Sequence, residues 1–439
     1  MIRSTHGEFC DDGDAASLAN RARRILPGGL IGRAGLPPEV GFIPVRGNGA
    51  RIFDRDGRSY IDYLAGAGAL ILGHSHPAVV AAIESQARDG LVFFGLPSEP
   101  VITLAEELVA VAPRAERAIM TTTGSEATMY AMRLARAYTK KNVILKFEGT
   151  YHGNHDFVQV STSSLSSMNE ARGALDSLGV PNAIEELILI APFNDVAAVR
   201  QIVKEHRVEL AAIIVDPMPR GGIFPLSGFI LELRQIADEF GVLLIFDEVM
   251  TGFRLAYGGA QEYFDVEADL TCYGKIIGGG LPLGAVVGPA DILQLVDTTQ
   301  NASSMSVLVN GTMHGAPIAA AAGLAALTEL RRPGVYDLLN KRTDLLRREI
   351  DLLFRHFNLP AIVDGQASYW HLAFSDRPHK NLADSLAADH DKIVEFDSEL
   401  IRRGIYLLPG GRRLVTTAHT DEDINDTLHA IASACESFR

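Results

Sequence analysis

Through the middle of the chain, short apolar runs alternate with longer segments whose apolar positions recur at helical spacing. The runs Val143–Phe147, Ala211–Asp216, Val242–Asp247, Leu270–Tyr273 and Ala285–Gly288 are too short for helices, and several are apolar on both alternating faces. Strands read this way when a parallel sheet buries both of their faces. Between them, Glu126–Tyr138, Val196–His206 and Leu231–Phe240 carry the helical period. The alternation predicts an α/β fold, with helices covering a mostly parallel sheet.

The flanks are patterned differently. Residues 45–63, VRGNGARIFDRDGRSYIDY, place turn signals at Asn48-Gly49 and Asp56-Gly57 and predict a β-meander. After Pro317 an alanine-rich helix runs to about Leu330, followed by a charged helix around Asp337–Phe357. The tail, from about Ala361, mixes strands (Tyr369–Phe374, Ile405–Leu408, Arg413–Thr417) with helices, and reads as a smaller α+β domain. The expected division is an N-terminal segment over 1–75 that packs with the small domain, a large domain over 76–316, and the small domain over 317–439. The serine-rich stretch Ser161–Ser167 is the expected mobile loop.

Composition narrows the function classes. A chain of 439 residues exceeds one small core. Its formal net charge of −14 argues against nucleic acid or an anionic membrane as partner. Cys10, Cys272 and Cys435 are odd in number and far apart, which fits a reducing compartment better than a disulfide framework. The first residues lack the apolar core of a signal peptide, and no uncharged stretch is long enough for a bilayer, so the expected location is the cytoplasm. His74 and His76 in GHSHP and His152 in YHG lack metal-site spacing and are expected to pack or to hydrogen-bond.

Three features carry candidate chemistry. Thr122-Thr123-Gly124-Ser125-Glu126 precedes a strong helix, whose free N–H groups suit an anion such as phosphate. A plain cap is the alternative there, with Ser125 capping and Glu126 complementing the dipole. Asp247 and Glu248 close a buried strand, where ligands of open α/β sheets bind and where a carboxylate is costly without a cation. Lys275 follows another strand end among glycines. An amine in a mostly apolar pocket has a lowered pKa and attacks carbonyls. Phosphate cradle, acid and lysine together fit pyridoxal 5'-phosphate: the helix start takes the phosphate, the acid keeps the pyridine nitrogen protonated, and the lysine takes the aldehyde. The glycines after Lys275 are expected to let the backbone close around the cofactor.

The motifs GARIFDRDGRSYIDY, ILGHSHPAVVAAI, TTTGSEATMYAMRLARA, YHG, FDEVMTGFR, YGKIIGGGLPLGAVVG and GTMHGAPIAAAAGLAAL extend over nearly the whole chain. With them the chain resembles the class III aminotransferases of PLP fold type I, in the glutamate semialdehyde aminomutase-like branch. The resemblance implies a large domain built on a mostly parallel seven-stranded sheet plus a smaller α+β domain. It implies that Lys275 is the Schiff-base lysine and Asp247 the partner of the pyridine nitrogen. It also implies that Val249 and Tyr151 cover the two ring faces, that Gly124 and Ser125 form the phosphate loop, and that Thr312 reaches the phosphate of the neighbouring subunit. A homodimer with shared active sites follows from that last match. The chain departs from the family at Asp216-Pro217, where Glu-Pro is usual, at Ala67, where the aminomutase has an aromatic, and at His314 and Ala316 in GTMHGAP. It also has Arg412 and Arg413 before AHT, so its substrate face differs from the aminomutase's.

On the substrate side, Arg33 and Arg412 are candidate carboxylate grips, because arginine suits planar bidentate contacts. Arg412 and Arg413 are adjacent on an expected strand, so one faces the pocket and the other faces away. Ala67 and Gly68 leave room for an aromatic or branched group. The expected activity is a ping-pong aminotransferase working between an α- or β-amino acid donor and a keto acid acceptor. The alternative is an aminomutase or epimerase built on the same half-reactions. A non-catalytic regulator is disfavoured by the presence of Lys275, Asp247 and the phosphate loop together.

Overall fold

The computed structural model describes residues 15–32, 35–162, 171, 173–299 and 305–438. Arg33, most of Ser161–Ser167 and Cys10 lie outside the described residues.

The turn signals at Asn48-Gly49 and Asp56-Gly57 separate three short antiparallel strands, β1 (Pro44–Asn48), β2 (Arg51–Asp54) and β3 (Ser59–Asp62). The central sheet follows. Its strands are β4 (Arg117–Thr121), β5 (Val143–Phe147), β6 (Ile188–Ala191), β7 (Leu210–Val215), β8 (Leu243–Asp247), β9 (Leu270–Gly274) and β10 (Gly284–Gly288). They lie in the order β4-β10-β9-β8-β7-β5-β6. The five strands from β9 to β6 are parallel, while β10 runs antiparallel to both of its neighbours.

Apolar runs on both faces have a direct cause here. Leu145, Phe147, Ile213, Val215, Leu244 and Phe246 face one layer, which holds the helices Val196–His206 and Phe229–Phe240. Ile144, Ala212, Ile214 and Ile245 face the other, where the helix Gly124–Thr139 packs. Each strand thus gives alternate side chains to two cores. The expected strands and helices all form, with ends shifted by a few residues. β4 and β6 are additional, because each is a short apolar run with no turn signal to set it apart.

The tail forms β11 (Ile362–Asp364), β12 (Tyr369–Ala373), β13 (Ile405–Tyr406) and β14 (Arg413–Leu414). β13 leaves its neighbours and pairs in parallel with β3, so the chain's tail completes the N-terminal sheet. β11, β12 and β14 form a separate small sheet. The helix Pro317–Leu330 packs on the turn Lys275–Gly278. A Cβ on Gly323 of that helix would run into the Ile277 carbonyl, and one on Gly279 would meet the Ala322 carbonyl at 2.5 Å. Gly279 therefore admits this helix, while a Cβ on Gly284 would meet the Thr123 carbonyl at 2.4 Å, so these glycines make room for protein neighbours.

Candidate active site

The site is built from three strand ends and one helix start. At the helix start, Thr123 is the N-cap: its Oγ1 accepts from Glu126 N at 3.1 Å, and the Glu126 carboxylate accepts from Thr122 N and Thr123 N. This capping box corrects the assignment of Ser125 as cap. It also leaves the N–H groups of Gly124 and Ser125, the first two helical positions, as the free donors. The YHG loop lies directly on them. Ser125 Oγ accepts from Asn154 N at 3.1 Å, and a Cβ on Gly153 would fall 2.7 Å from Ser125 Cα.

Opposite, Val249 fills the space beside Gly124. A Cβ on Gly124 would sit 2.7 Å from both Val249 methyls, and one on Gly274 would sit 3.1 Å from Val249 Cγ1. The helix start, the turn after β8 and the end of β9 thus meet at one point. Lys275 follows immediately, in a left-handed conformation (φ 50°) that is uncommon for a non-glycine residue. Burial lowers its amine to about 8, against the pull of Asp247 and with help from the cations of Arg412 and Arg254.

Asp247 is buried at the end of β8. One carboxylate oxygen accepts from Val249 N at 3.1 Å, and the other lies 2.7 Å from His152 Nδ1. His152 is itself buried, with Nε2 unpartnered among the described residues. Its neighbour His155 is pushed down to about 3, chiefly by burial. Glu248 points away from this site. It accepts from Ala260 N at 2.6 Å and Thr251 Oγ1 at 3.1 Å, meets no cation there, and is raised by burial to about 7.

Asp216, just after β7, is also buried. It accepts from Met218 N at 3.0 Å and from Arg412 Nη2 at 2.9 Å. The tandem arginines divide, Arg412 lying just before the strand that begins at Arg413. Arg413 is fully buried, bonded to both Asp397 oxygens at 2.6 and 2.7 Å, whereas Arg412 faces the site. Beneath them, buried Arg254 donates to the Gly68 carbonyl at 2.6 Å. Its Nε and Nη1 find no partner among the described residues.

Lys275, Asp247, Val249, Gly124 and Ser125 are therefore brought together, with Tyr151 on the adjoining loop and Arg412 on the far side. The half-buried lysine, the buried acid and the free helix-start donors fit pyridoxal phosphate at its aldehyde, nitrogen and phosphate ends. Thr312 is exposed in the turn before Pro317–Leu330, and its hydroxyl has no partner among the described residues. His314 beside it reaches Glu126 at 3.6 Å. Among the described residues no His, Cys, Asp or Glu group is arranged for a metal ion, and no helix is long and apolar enough to cross a membrane. Sequence reasoning missed Arg254 and Arg220. Arg254 stands in a quoted motif, but nothing there distinguishes it from a surface arginine.

The sequence model of the aminotransferase class-III family matches residues 36–434. Glutamate-1-semialdehyde 2,1-aminomutase of Desulforudis audaxviator (strain MP104C) is 40% identical over 427 residues, which is 96% of this chain and 97% of that protein. The protein of the same name from Methanosarcina acetivorans is 38% identical, over 94% of this chain and 96% of its own. Among solved structures, an omega-transaminase from Sphaerobacter thermophilus superposes with a TM-score of 0.91 at 34% identity, covering 97% of this chain and 98% of that one. The fold is PLP fold type I, and the cofactor is pyridoxal phosphate. The sequence relatives correct the expected aminotransferase activity. Proteins 38–40% identical over almost the whole chain carry an aminomutase name, which favours the isomerase alternative.

Proposed function

We propose that this chain, which belongs to the class III aminotransferases, is an aminomutase. It exchanges an amino and a carbonyl group between neighbouring carbons of one carboxylate-bearing molecule. The observation that supports this is the 38–40% identity, over at least 94% of the chain, to glutamate-1-semialdehyde 2,1-aminomutases. Ala67 and Asp216, which depart from that branch, border the substrate side and adjust which carbon skeleton fits.

When bound, the cofactor supplies an electron sink for the pair left when a substrate carbon loses its proton. The N–H groups of Gly124 and Ser125 would hold its phosphate, and Val249 and Tyr151 its ring. Asp247, fixed by His152 and Val249 N, holds a proton at the pyridine nitrogen. Lys275 would hold the aldehyde end and supply the base. An amine near 8 takes a proton from one carbon and returns it at another without a large mismatch to neutral pH. Arg412, balanced by Asp216, faces the substrate's carboxylate.

We read the working unit as a homodimer in which Thr312 serves the partner's site. Phe93, Phe94, Leu96, Leu308 and Met313 are exposed, and the two segments meet around a cavity of about 280 Å³ lined by Phe94, Leu96, Met120, Val309 and His314. A second copy is the natural cover for that apolar surface.

The test is turnover of a single substrate. Holoenzyme is given glutamate-1-semialdehyde alone, and the product is followed by NMR. Conversion to the isomeric amino acid without any keto acid supports the reading. Conversion only after a separate keto acid is added overturns it.

A further inference from the structure

The loop that leaves β7 is fixed at both ends. At its start, Met218 N donates to Asp216, and the Met218 carbonyl accepts from Arg412 Nη2 at 2.6 Å. At its end, the Gly221 carbonyl lies 2.8 Å from His379 Nδ1, and Ile223 bridges to His379. Gly222 has φ 69°, and a Cβ there would fall 2.1 Å from the His371 ring. Arg220 stands between these anchors, so its backbone is set by neighbours on both sides.

The Arg220 guanidinium lies 4.1 Å over the Tyr151 ring. Tyr151 adjoins His152, the partner of Asp247. Stacking orients a guanidinium but uses only its face, so the N–H donors in its plane stay free. Arg220 is exposed, and among the described residues no carboxylate or carbonyl accepts from it. Packing around the guanidinium lowers its pKa below the ordinary arginine value, the nearby Arg412 cation adds to this, and Tyr151 and Asp216 oppose it. Asp216 is already engaged by Arg412. Arg412 already has its charge balanced by Asp216 and gives Nη2 to Asp216 and the Met218 carbonyl, which leaves Nε without a partner among the described residues, whereas Arg220 has neither a carboxylate nor a carbonyl bonded to it there.

We infer that Arg220 is a specificity residue of this site: it binds the substrate's carboxylate, with Arg412 as a further contact. The inference rests on the proposed reading that the substrate carries a carboxylate. It names a residue that stands nowhere among the sequence-based candidates.

The experiment titrates the PLP-loaded enzyme with pentanoate, an unreactive carboxylate, and with pentanamide, its neutral analogue. Binding is read by calorimetry and by the shift of the bound cofactor's visible absorbance, for the native chain and for Arg220→Met and Arg220→Lys. Loss of a charged hydrogen-bond partner weakens pentanoate by roughly tenfold to a hundredfold in Arg220→Met. Pentanamide is expected to bind all three proteins alike, Arg220→Lys to fall between the other two, and KM to change more than kcat. Equal weakening of both ligands, or loss of cofactor affinity in Arg220→Met, would assign Arg220 to packing on Tyr151 and overturn the inference. Pentanoate is unreactive, so this outcome is independent of whether turnover proves to need a separate keto acid.

Discussion

Asp216 and Asp247 stand at the carboxyl ends of neighbouring parallel strands, and locally they are nearly the same residue. Both are buried, and each accepts from the backbone N–H two positions on, Met218 in one case and Val249 in the other. They differ in what meets the second oxygen. Asp247 has His152 at 2.7 Å, held in the wall of the large domain, while Asp216 has Arg412 at 2.9 Å, brought in from the small sheet. One carboxylate is therefore met by a buried imidazole and the other by a guanidinium, each from a different element. Burial raises the Asp216 carboxyl above its ordinary range, and Arg412 pulls it back. Similar strand-end turns thus meet different tertiary partners, and in the proposed function one serves the cofactor and the other the substrate.

The strongest way to break this comparison is to make the same change at both positions. Asp247→Asn keeps the shape but removes the charge that, in the proposed function, holds a proton on the cofactor nitrogen. Turnover should fall by about 10²-fold or more with every substrate, and the cofactor's absorbance should change. Asp216→Asn instead releases Arg412 from a charge partner. Its expected effect is about a fivefold fall in KM for carboxylate substrates, with cofactor absorbance unchanged. Similar losses in turnover from both variants would show that the two acids are not divided as described.

A second measurement sharpens the cofactor side. The amine of Lys275 is lowered to about 8, and only its unprotonated form attacks an aldehyde. The rate at which cofactor-free protein captures pyridoxal phosphate should rise with pH and level off above about 8. A rate that keeps climbing to the ordinary lysine range would mean that burial does not act on this amine.

The smallest expected effect separates stability from binding at the helix start. Thr123→Ala removes the cap and should destabilise the protein by about 1 kcal/mol in denaturant unfolding. Ser125→Ala should cost less, because Ser125 does not cap the helix and loses only the hydroxyl that accepts from Asn154 N, while its backbone N–H stays available to the phosphate.

Much of the architecture was legible from the sequence because its signals are local. The two-faced apolar runs required a buried sheet, the helical periods between them required helices over it, and the turn pairs Asn48-Gly49 and Asp56-Gly57 set out the meander. Gly124-Ser125, Asp247 and Lys275, each next to a strand or helix end, were legible as residues that the fold brings close together. Four matters were decided by tertiary structure alone. Thr123 rather than Ser125 caps the helix, because Glu126 folds back onto two N–H groups. Gly279 admits the helix Pro317–Leu330. Arg413 is locked to Asp397, which leaves Arg412 for the site. Arg220 is placed over Tyr151 by a loop pinned at both ends. Periodicity and turn chemistry act over a few residues, whereas the His152–Asp247 bond joins positions 95 apart and the Arg412–Asp216 bond positions 196 apart. Nothing in either segment specifies its distant partner; the pairs form only when the packed strands bring their ends together.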